Sequence, residues 1–424
     1  MSPKEWKRVP LHSVAEVRTG LAKGKQGLID SVELPYLRVA NVQDGYFDLT
    51  EVKAIRVERN AIERYSLRAG DVLMTEGGDF DKLGRGAVWN AVISPCLHQN
   101  HVFAVRPKDG VLYSAFLAAL SSSQYGRTYF QGCAKRSTNL ASINSSQLKE
   151  FPVILPPHPE QEEIVRILST WDGAIATTEK VLASSRRQKD ALTHDLLLGR
   201  VRRFGHAASS RRVRTRVGLL PQDWRHLPLG DIAVELGNKN VANRALPVLS
   251  CTKHHGLVDS LSYFNKRVFS ENTSTYKIVP RGAFAYATNH IDEGSIGYQN
   301  LYDEALISPM YTVFQVGEQI NHGFLYKLLK TEHYRQLFAA STNASVDRRG
   351  SLRWSEFKKI EVPVPSLEEQ VAINEVLDGA DQEIVQLISQ LDALKAERRV
   401  LMTDLLTGKR RVNLAKVATA QEPA

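Results

Sequence analysis

Two long stretches of the chain repeat apolar residues with the alternating spacing of four and three that a coiled-coil helix requires. The first stretch runs from residue 164 to 196 and the second from 373 to 405. They predict two helices of roughly 40 residues, each about 60 Å long, and such helices favour antiparallel pairing with each other. The apolar residues of the two predicted seams are Ile164, Leu168, Trp171, Ile175, Leu182, Leu192 and Leu196, and Ile373, Leu377, Ile384, Leu391, Leu401 and Leu405.

Both predicted helices carry matching start and stop signals. Proline followed by acidic residues opens each one, in PPHPEQEEI and PSLEEQVAI, because proline fits the first turn and carboxylates suit the positive helix end. The stop signals are the glycines of DLLLGR and DLLTGK. Glu160-Gln161 recurs 209 residues later as Glu369-Gln370, and the match continues without a gap to these glycines. The chain is therefore an internal tandem repeat.

The segment before each helix has short alternating stretches broken by Gly, Asn and Pro. LPYLRVANVQDGYF and LPVLSCTKHHGLV predict strand-turn-strand, and LRAGDVLMT and VPRGAFAYAT predict a turn and then a strand. Helical spacing returns in SAFLAALSSSQYGRTYFQ and GFLYKLLKTEHYRQLFAA. Trp6 and Pro10 match Trp224 and Pro228, but similarity is sparse after them. Two modules with one layout and different targets are expected.

The predicted fold class is α/β, with two mixed α/β domains joined by two long antiparallel coiled-coil helices in a pseudo-twofold repeat. The predicted boundaries are a first domain at 1–157, a helix at 158–200, a basic linker at 201–218, a second domain at 219–365, a helix at 366–410 and a flexible tail at 411–424.

Composition adds a partner class to this architecture. The 424 residues carry a net charge of +9, which favours a polyanion, either nucleic acid or an anionic membrane surface. Seven arginines lie between Arg200 and Arg216, and a DNA contact and a solvated linker are equally good interpretations of them. No apolar run is long enough to predict a transmembrane helix. The start lacks the apolar core of a signal peptide, and three scattered cysteines suit a reducing cytoplasm.

Polar, glycine-broken loops supply the candidate DNA contacts. Arginine can read guanine, asparagine adenine and aspartate the cytosine amino group, while lysine and small polar groups bind phosphate. Ordinary solvated loops are an equally good interpretation for about half of these residues taken singly. The candidates are Lys82, Arg85, Lys135, Arg136, Ser137, Thr138 and Asn139 in the first half, and Asn289, His290, Asn343, Asp347, Arg348 and Arg349 in the second.

Signatures of catalysis are weak throughout the sequence. GLAKGKQ lacks the spacing and the Ser or Thr of a phosphate-binding loop, and no methyltransferase-like Asn/Asp-Pro-Pro-aromatic motif occurs. Cys96, His98 and His101 are ligand types without a second pair to complete a metal site. No catalytic residue, metal or cofactor is therefore predicted on this chain.

The doubled helix starts and ends resemble those of the specificity subunits of type I restriction-modification systems, over nearly the whole chain. LRAGDVLMTEGGDFDKLGRG also resembles a stretch common in their target recognition domains. The resemblance implies a non-catalytic subunit in which each domain reads half of a split, asymmetric DNA target. It implies that the helices set the gap and hold two modification subunits, which use S-adenosylmethionine to methylate adenine. Restriction subunits using ATP and Mg²⁺ are a further implied partner.

Two features depart from a symmetric repeat of this kind. Trp171 stands where the second seam has Ala380, so the two helices are not interchangeable, and the arginine-rich linker has no assigned role. The alternative function is a coiled-coil scaffold that binds nucleic acid without sequence preference. Equal affinity for all duplexes at matched salt would favour that alternative.

Overall fold

The computed structural model describes residues 6–23, 27–78, 80, 83–136, 141–202, 211–215, 217–342 and 351–414. The chain divides into two compact units. Unit 1 contains residues 1–180 and 389–424, and unit 2 contains residues 181–388. The candidates Lys82, Ser137, Thr138, Asn139, Asn343, Asp347, Arg348 and Arg349 lie outside the described residues.

Unit 1 begins with twelve described strands and five short helices. The strands are β1 Lys7–Pro10, β2 Ala15–Thr19, β3 Ser31–Leu37, β4 Lys53–Glu58, β5 Val72–Thr75, β6 Gly77–Gly78, β7 Gly86–Val88, β8 Leu97–His98, β9 Val102–Pro107, β10 Lys135–Arg136, β11 Ala141–Ser142 and β12 Pro152–Leu155. The helices are α1 Leu11–Val14, α2 Ile62–Tyr65, α3 Ser114–Ser122, α4 Gln124–Cys133 and α5 Ser145–Lys149.

The chain continues with a long helix, α6 His158–Leu197, into unit 2. The strands that follow are β13 Arg212–Thr215, β14 Gly218–Pro221, β15 Arg225–Pro228, β16 Ala233–Leu236, β17 Leu249–Thr252, β18 Gly256–Asp259, β19 Lys277–Pro280, β20 Phe284–Ala287, β21 Ile296–Tyr298, β22 Glu304–Ile307, β23 Tyr311–Val316 and β24 Glu361–Val364. The helices are α7 Leu229–Ile232, α8 Ser260–Phe264, α9 His322–Leu329, α10 Glu332–Ser341, α11 Trp354–Phe357 and the second long helix, α12 Leu367–Leu406.

The same central sheet is built in both units. Unit 1 has the strand order β2-β9-β5-β7 and unit 2 the order β16-β23-β20-β21, and every pairing is antiparallel. In each unit the first strand also pairs with the last strand before the long helix, β1 with β12 and β15 with β24. The mixed α/β fold with an internal repeat is confirmed, and it includes the middles in which sequence similarity is sparse.

The central strands read as unbroken apolar runs because both faces of the sheet are covered. In β5, Val72 and Met74 pack toward α3, α4 and the long helices, whereas Leu73 packs toward Trp89 on the other face. In unit 2, Phe284 likewise faces the helices, and its neighbour Ala285 faces the opposite way. The period of two along a strand thus divides one apolar run between two clusters.

Two sequence predictions need correction. SAFLAALSSSQYGRTYFQ and GFLYKLLKTEHYRQLFAA each form two helices instead of one. Ser123 and Thr331 separate the two helices, because their hydroxyls accept from Gly126 N and Tyr334 N and so cap the second helix. The strand-turn-strand predicted for LPYLRVANVQDGYF is wrong in its second strand, which is reduced to an isolated bridge between Val42 and Phe47. The hairpin predicted for LPVLSCTKHHGLV is confirmed as β17 and β18.

The two long helices are each 40 residues, and a glycine with positive φ lies two residues after the end of each. Gly199 has φ of 59° and Gly408 has φ of 76°, the left-handed conformation that glycine adopts at helix ends. Among the described residues, no helix combines the length and the apolar character needed to cross a bilayer.

Candidate nucleic-acid interface

In unit 1, a small sheet brings together parts of the two segments that the sequence predicts to contact DNA. β11 pairs with both β10 and β6, so the backbone of Lys135 and Arg136 belongs to the same three-stranded sheet as Gly77–Gly78, at the start of the loop between β5 and β7. Arg85 closes this loop, because its carbonyl accepts from the Thr75 N–H at 3.1 Å. Its half-buried side chain lines a cavity of about 290 Å³ with Asp44 and Arg127.

The equivalent loop of unit 2 follows β20 and carries Asn289 and His290. Asn289 accepts from the Thr288 hydroxyl at 3.2 Å and lines a cavity of about 320 Å³. The exposed His290 ring contacts Glu293 at 3.2 Å. The Leu352 N–H donates to the Thr288 carbonyl at 3.0 Å, as the Ile143 N–H does to Glu76 at 2.9 Å in unit 1. In both units, the chain that follows the second candidate segment therefore hydrogen-bonds to the first residue of the loop that carries the first candidate segment.

Two cations hold the unit 2 loop, Lys330 directly after α9 and Arg335 in α10. Lys330 Nζ donates to the carbonyls of Lys253 at 2.6 Å and Gly294 at 2.8 Å, and Arg335 donates to the Asp292 carbonyl at 2.9 Å. Burial lowers the pKa of Lys330 from its usual value, while the nearby Cys251 raises it. Sequence reasoning missed both residues, because their acceptors are main-chain atoms 36 to 77 positions away.

The seam residues lie at weakly exposed positions along both long helices. The buried members are Ile164, Leu168, Leu182, Leu196, Ile373, Leu377, Leu391 and Leu405, and the half-buried members are Trp171, Ile175, Leu192, Ile384 and Leu401. Most of the neighbouring positions between residues 169 and 188 are exposed. This contrast is the one that a heptad seam produces.

Ion pairs join the long helices within each unit. In unit 1, Asp172 pairs with Arg398 and Glu179 with Lys395, so the partner number falls as the residue number rises and the helices are antiparallel. In unit 2, Lys189 pairs with Asp381. Lys189 and Arg398 are equivalent cations of the repeat, and each meets the aspartate that is equivalent to the other's partner.

The Glu-Gln pair at each helix start has a defined structural role. In unit 1, buried Glu160 accepts from Trp6 Nε1 at 3.0 Å and from Arg411 at 2.6 and 2.8 Å. Gln161 accepts from the Tyr113 N–H at 2.8 Å and donates to the carbonyls of residues 111 and 156. Hydrogen bonds thus join the helix start both to the residue before the first strand and to the turn before α3.

Unit 2 repeats this lock with equivalent residues. Glu369 accepts from Trp224 Nε1 at 3.1 Å and from Arg202 Nε and Nη2, both at 2.8 Å. Gln370 accepts from the Asn321 N–H at 2.8 Å. The Arg202 side chain is 3% exposed and also pairs with Asp223. One of the seven arginines around the linker is therefore committed to an internal ion pair.

The side chains of CLHQNH are unsuited to a metal site as a group. Burial raises the pKa of the Cys96 thiol to about 12 and lowers the pKa of His98 to about 4. His101 is exposed and lies 2.6 Å from a Glu76 carboxylate oxygen. Over the described part of the chain, no group of three or more His, Cys, Asp or Glu side chains could hold a metal ion.

Comparison with known families addresses the repeated architecture directly. Residues 3–184 and 221–396 match the family described as type I restriction modification DNA specificity domain, which is most of the chain. The chain belongs to this family. The two matched ranges correspond to the two copies of the repeat, each with a recognition module and a large part of its long helix.

Curated members of the specificity-domain family match along the chain. The putative type I restriction enzyme MjaX specificity subunit of Methanocaldococcus jannaschii is 24% identical over 97% of this chain and 95% of its own length. The type I restriction enzyme EcoKI specificity subunit of Escherichia coli K12 is 25% identical over 45% of this chain and 41% of its own length.

Two solved structures share the fold of this chain. The HsdS subunit from Thermoanaerobacter tengcongensis superposes with a TM-score of 0.57 at 17% identity, over 96% of this chain and 98% of the other. A chain from work on complex assembly and conformational transition of the type I R-M system gives a TM-score of 0.58 at 17% identity, over 95% and 98%.

Proposed function

We propose that this chain is the sequence-reading subunit of a type I restriction-modification complex and has no catalytic role of its own. Each module reads one half of a bipartite, asymmetric DNA target, and the partner subunits methylate adenine and, where restriction subunits are present, cleave. The observation that carries the proposal is one architecture built twice around different loops. The loop begins at Glu76, which contacts His101, in unit 1 and at Thr288, which contacts Met310, in unit 2.

The contacts of these loops support a reading surface. Among the described candidates, Arg85, Asn289 and His290 project from short segments fixed by main-chain hydrogen bonds, and a fixed loop loses less entropy on binding. We include Lys82, Lys135–Asn139, Asn343 and Asp347–Arg349 in the proposed surface on sequence grounds alone. The excess positive charge of the chain supplies a salt-dependent, sequence-independent part of the affinity.

The long helices serve as the spacer in this proposal. Their length is independent of the bases read, so the gap between half-sites is geometric. The partner's target adenine must leave the base stack to be methylated, and this chain positions that event. S-adenosylmethionine then belongs to the modification subunits, and ATP and Mg²⁺ belong to the restriction subunits. The complex would act in the cytoplasm, the compartment that unpaired cysteines also favour.

A groove on the helix pair of unit 1 is the proposed seat of a modification subunit. It has a volume of about 850 Å³ and is lined mainly by apolar side chains, including Ile167, Trp171 and Val400. Val400 is 60% exposed, and burial of such a surface drives association. Val400→Asp should reduce co-purification of the modification subunit in the absence of DNA. Val92→Asp, at an equally exposed loop position, is the matched control and should have no effect.

The function is tested by mapping methylation in native DNA from cells that express this chain with its modification partner. A split motif that depends on this chain supports the proposal. Methylation without a split motif, or methylation independent of this chain, contradicts it. Equal affinity of the purified chain for all duplexes at matched salt would support the non-specific scaffold instead.

A further inference from the structure

The residues directly after β5 and directly before β9 meet at one end of the two central strands of the unit 1 sheet. The Glu76 N–H donates to the His101 carbonyl at 3.0 Å, and the His101 ring lies 2.6 Å from the Glu76 carboxylate. Asn100 lies beside them, with its amide nitrogen 3.5 Å from His101 Nε2. The imidazole is 55% exposed. A carboxylate thus holds this ring in one orientation while its outer edge faces solvent.

The same position in unit 2 has different chemistry. The residue after β20 is Thr288, whose hydroxyl donates to the carbonyl of Met310 at 3.0 Å, and Met310 directly precedes β23. Met310 is 62% exposed and borders the cavity that Asn289 lines. One unit therefore presents a preorganised polar group at this position, and the other presents an exposed apolar group.

Both positions adjoin the segments nominated for DNA contact. Glu76 and Thr288 are the residues whose carbonyls receive the returning chain, from Ile143 and Leu352. The backbone at this point is anchored to the central sheet and lies beside the described residues that follow the candidate segments, Ile143 in unit 1 and Leu352 in unit 2. A base-reading group needs this rigidity, because a hydrogen bond to a base edge discriminates only when its geometry is fixed.

We propose that His101 and Met310 occupy equivalent base-reading positions, one for each half-site, an inference that rests on the proposed function. His101 with Asn100 supplies the donor and acceptor pattern for a purine edge in the major groove. Met310 supplies an apolar contact for the methyl group of a thymine. The two units thus read different bases from one structural position.

The test exchanges the two side chains and maps methylation motifs in native DNA. His101→Met should relax or change one base pair of one half-site and leave the other half-site as it was. Met310→His should do the same in the other half-site. Discrimination at the affected base pair should fall roughly 5- to 150-fold, the range expected for loss of one specific contact. His12→Ala is the matched control, because His12 is a half-exposed histidine of the same unit that also faces a carboxylate, Glu150.

The unaltered half-site serves as an internal check that each variant is folded. Motifs that are unchanged in both exchange variants would overturn the inference. Uniform loss of methylation at every site would also overturn it, since a phosphate contact or a purely structural residue behaves in that way. A wild-type chain without any split motif would overturn the proposed function itself, which keeps the two failures distinguishable.

Discussion

Removing the carboxylate of Glu369 should destabilise unit 2 far more than removing an exposed carboxylate of the helix pair. In Glu369→Gln, the Arg202 guanidinium keeps its charge in a site that is 3% exposed, and among the described residues the half-exposed Asp223 is its one remaining ionic partner. Breaking a buried ion pair from one side costs about 3–5 kcal/mol. We expect the lower end of that range, because Asp223 retains part of the interaction.

The equivalent change in unit 1 should cost less. The Arg411 side chain is 35% exposed, so in Glu160→Gln its charge can turn toward water. The remaining loss is that of hydrogen bonds to a charged group, about 1.5–3 kcal/mol. Glu179→Gln removes an exposed pair with Lys395 and should cost about 1 kcal/mol or less, which makes it the matched control.

Hydrogen exchange followed by mass spectrometry gives these free energies for each unit separately, as a two-unit chain need not unfold in one step. Protection should fall in peptides of residues 219–365 for Glu369→Gln. Adding Arg202→Met to that variant should restore much of the loss, because no unpaired charge then remains buried. Equal effects of Glu369→Gln and Glu179→Gln would refute the role of the buried lock.

Three further predictions concern pH, spacing and loop order. His98 is buried with a pKa lowered from 6.5 to about 4, so the unfolded chain takes up its proton first as pH falls. The contribution of His98 should lower stability by about 1.5 kcal/mol between pH 6.5 and 5, and urea unfolding should show a flatter pH profile for His98→Gln. Deleting one heptad from each helix, residues 177–183 and 386–392, should shorten the target gap by about 10 Å or about three base pairs; an unchanged gap in an active complex would contradict the spacer role. Lys330→Met should raise hydrogen exchange at residues 288–297 and weaken discrimination in one half-site only, whereas a loop held by its own backbone would show no change.

Regular spacing made the helices and the layout of the chain predictable. The heptad repeat, the prolines and the glycines act within a few residues of one another, so their consequences for α6 and α12 can be read locally. The bounds of individual strands were less predictable. The pattern around Val42 and Phe47 alternates as a strand does, but only one bridge forms there.

Long-range polar contacts could not be predicted from spacing. Glu160 lies 154 positions from Trp6 and 251 from Arg411, and no local rule connects such residues. The arginines of the linker illustrate the same limit. Arg202 belongs to a basic cluster in sequence, yet its side chain lies in a buried ion pair with Glu369. In the sequence, His101 stood out only as part of an incomplete metal-binding pattern. Its contact with Glu76 depends on the pairing of β5 and β9, which the sequence does not show.

The central claim is that each module reads one half-site independently of the other. Replacing residues 1–155 by the corresponding module of another family member keeps the junction just after β12 and leaves all of unit 2 unaltered. Methylation mapping of the hybrid should give a motif with one half-site changed, the other retained and the gap preserved. A motif altered in both halves, or an unchanged motif, would contradict the account.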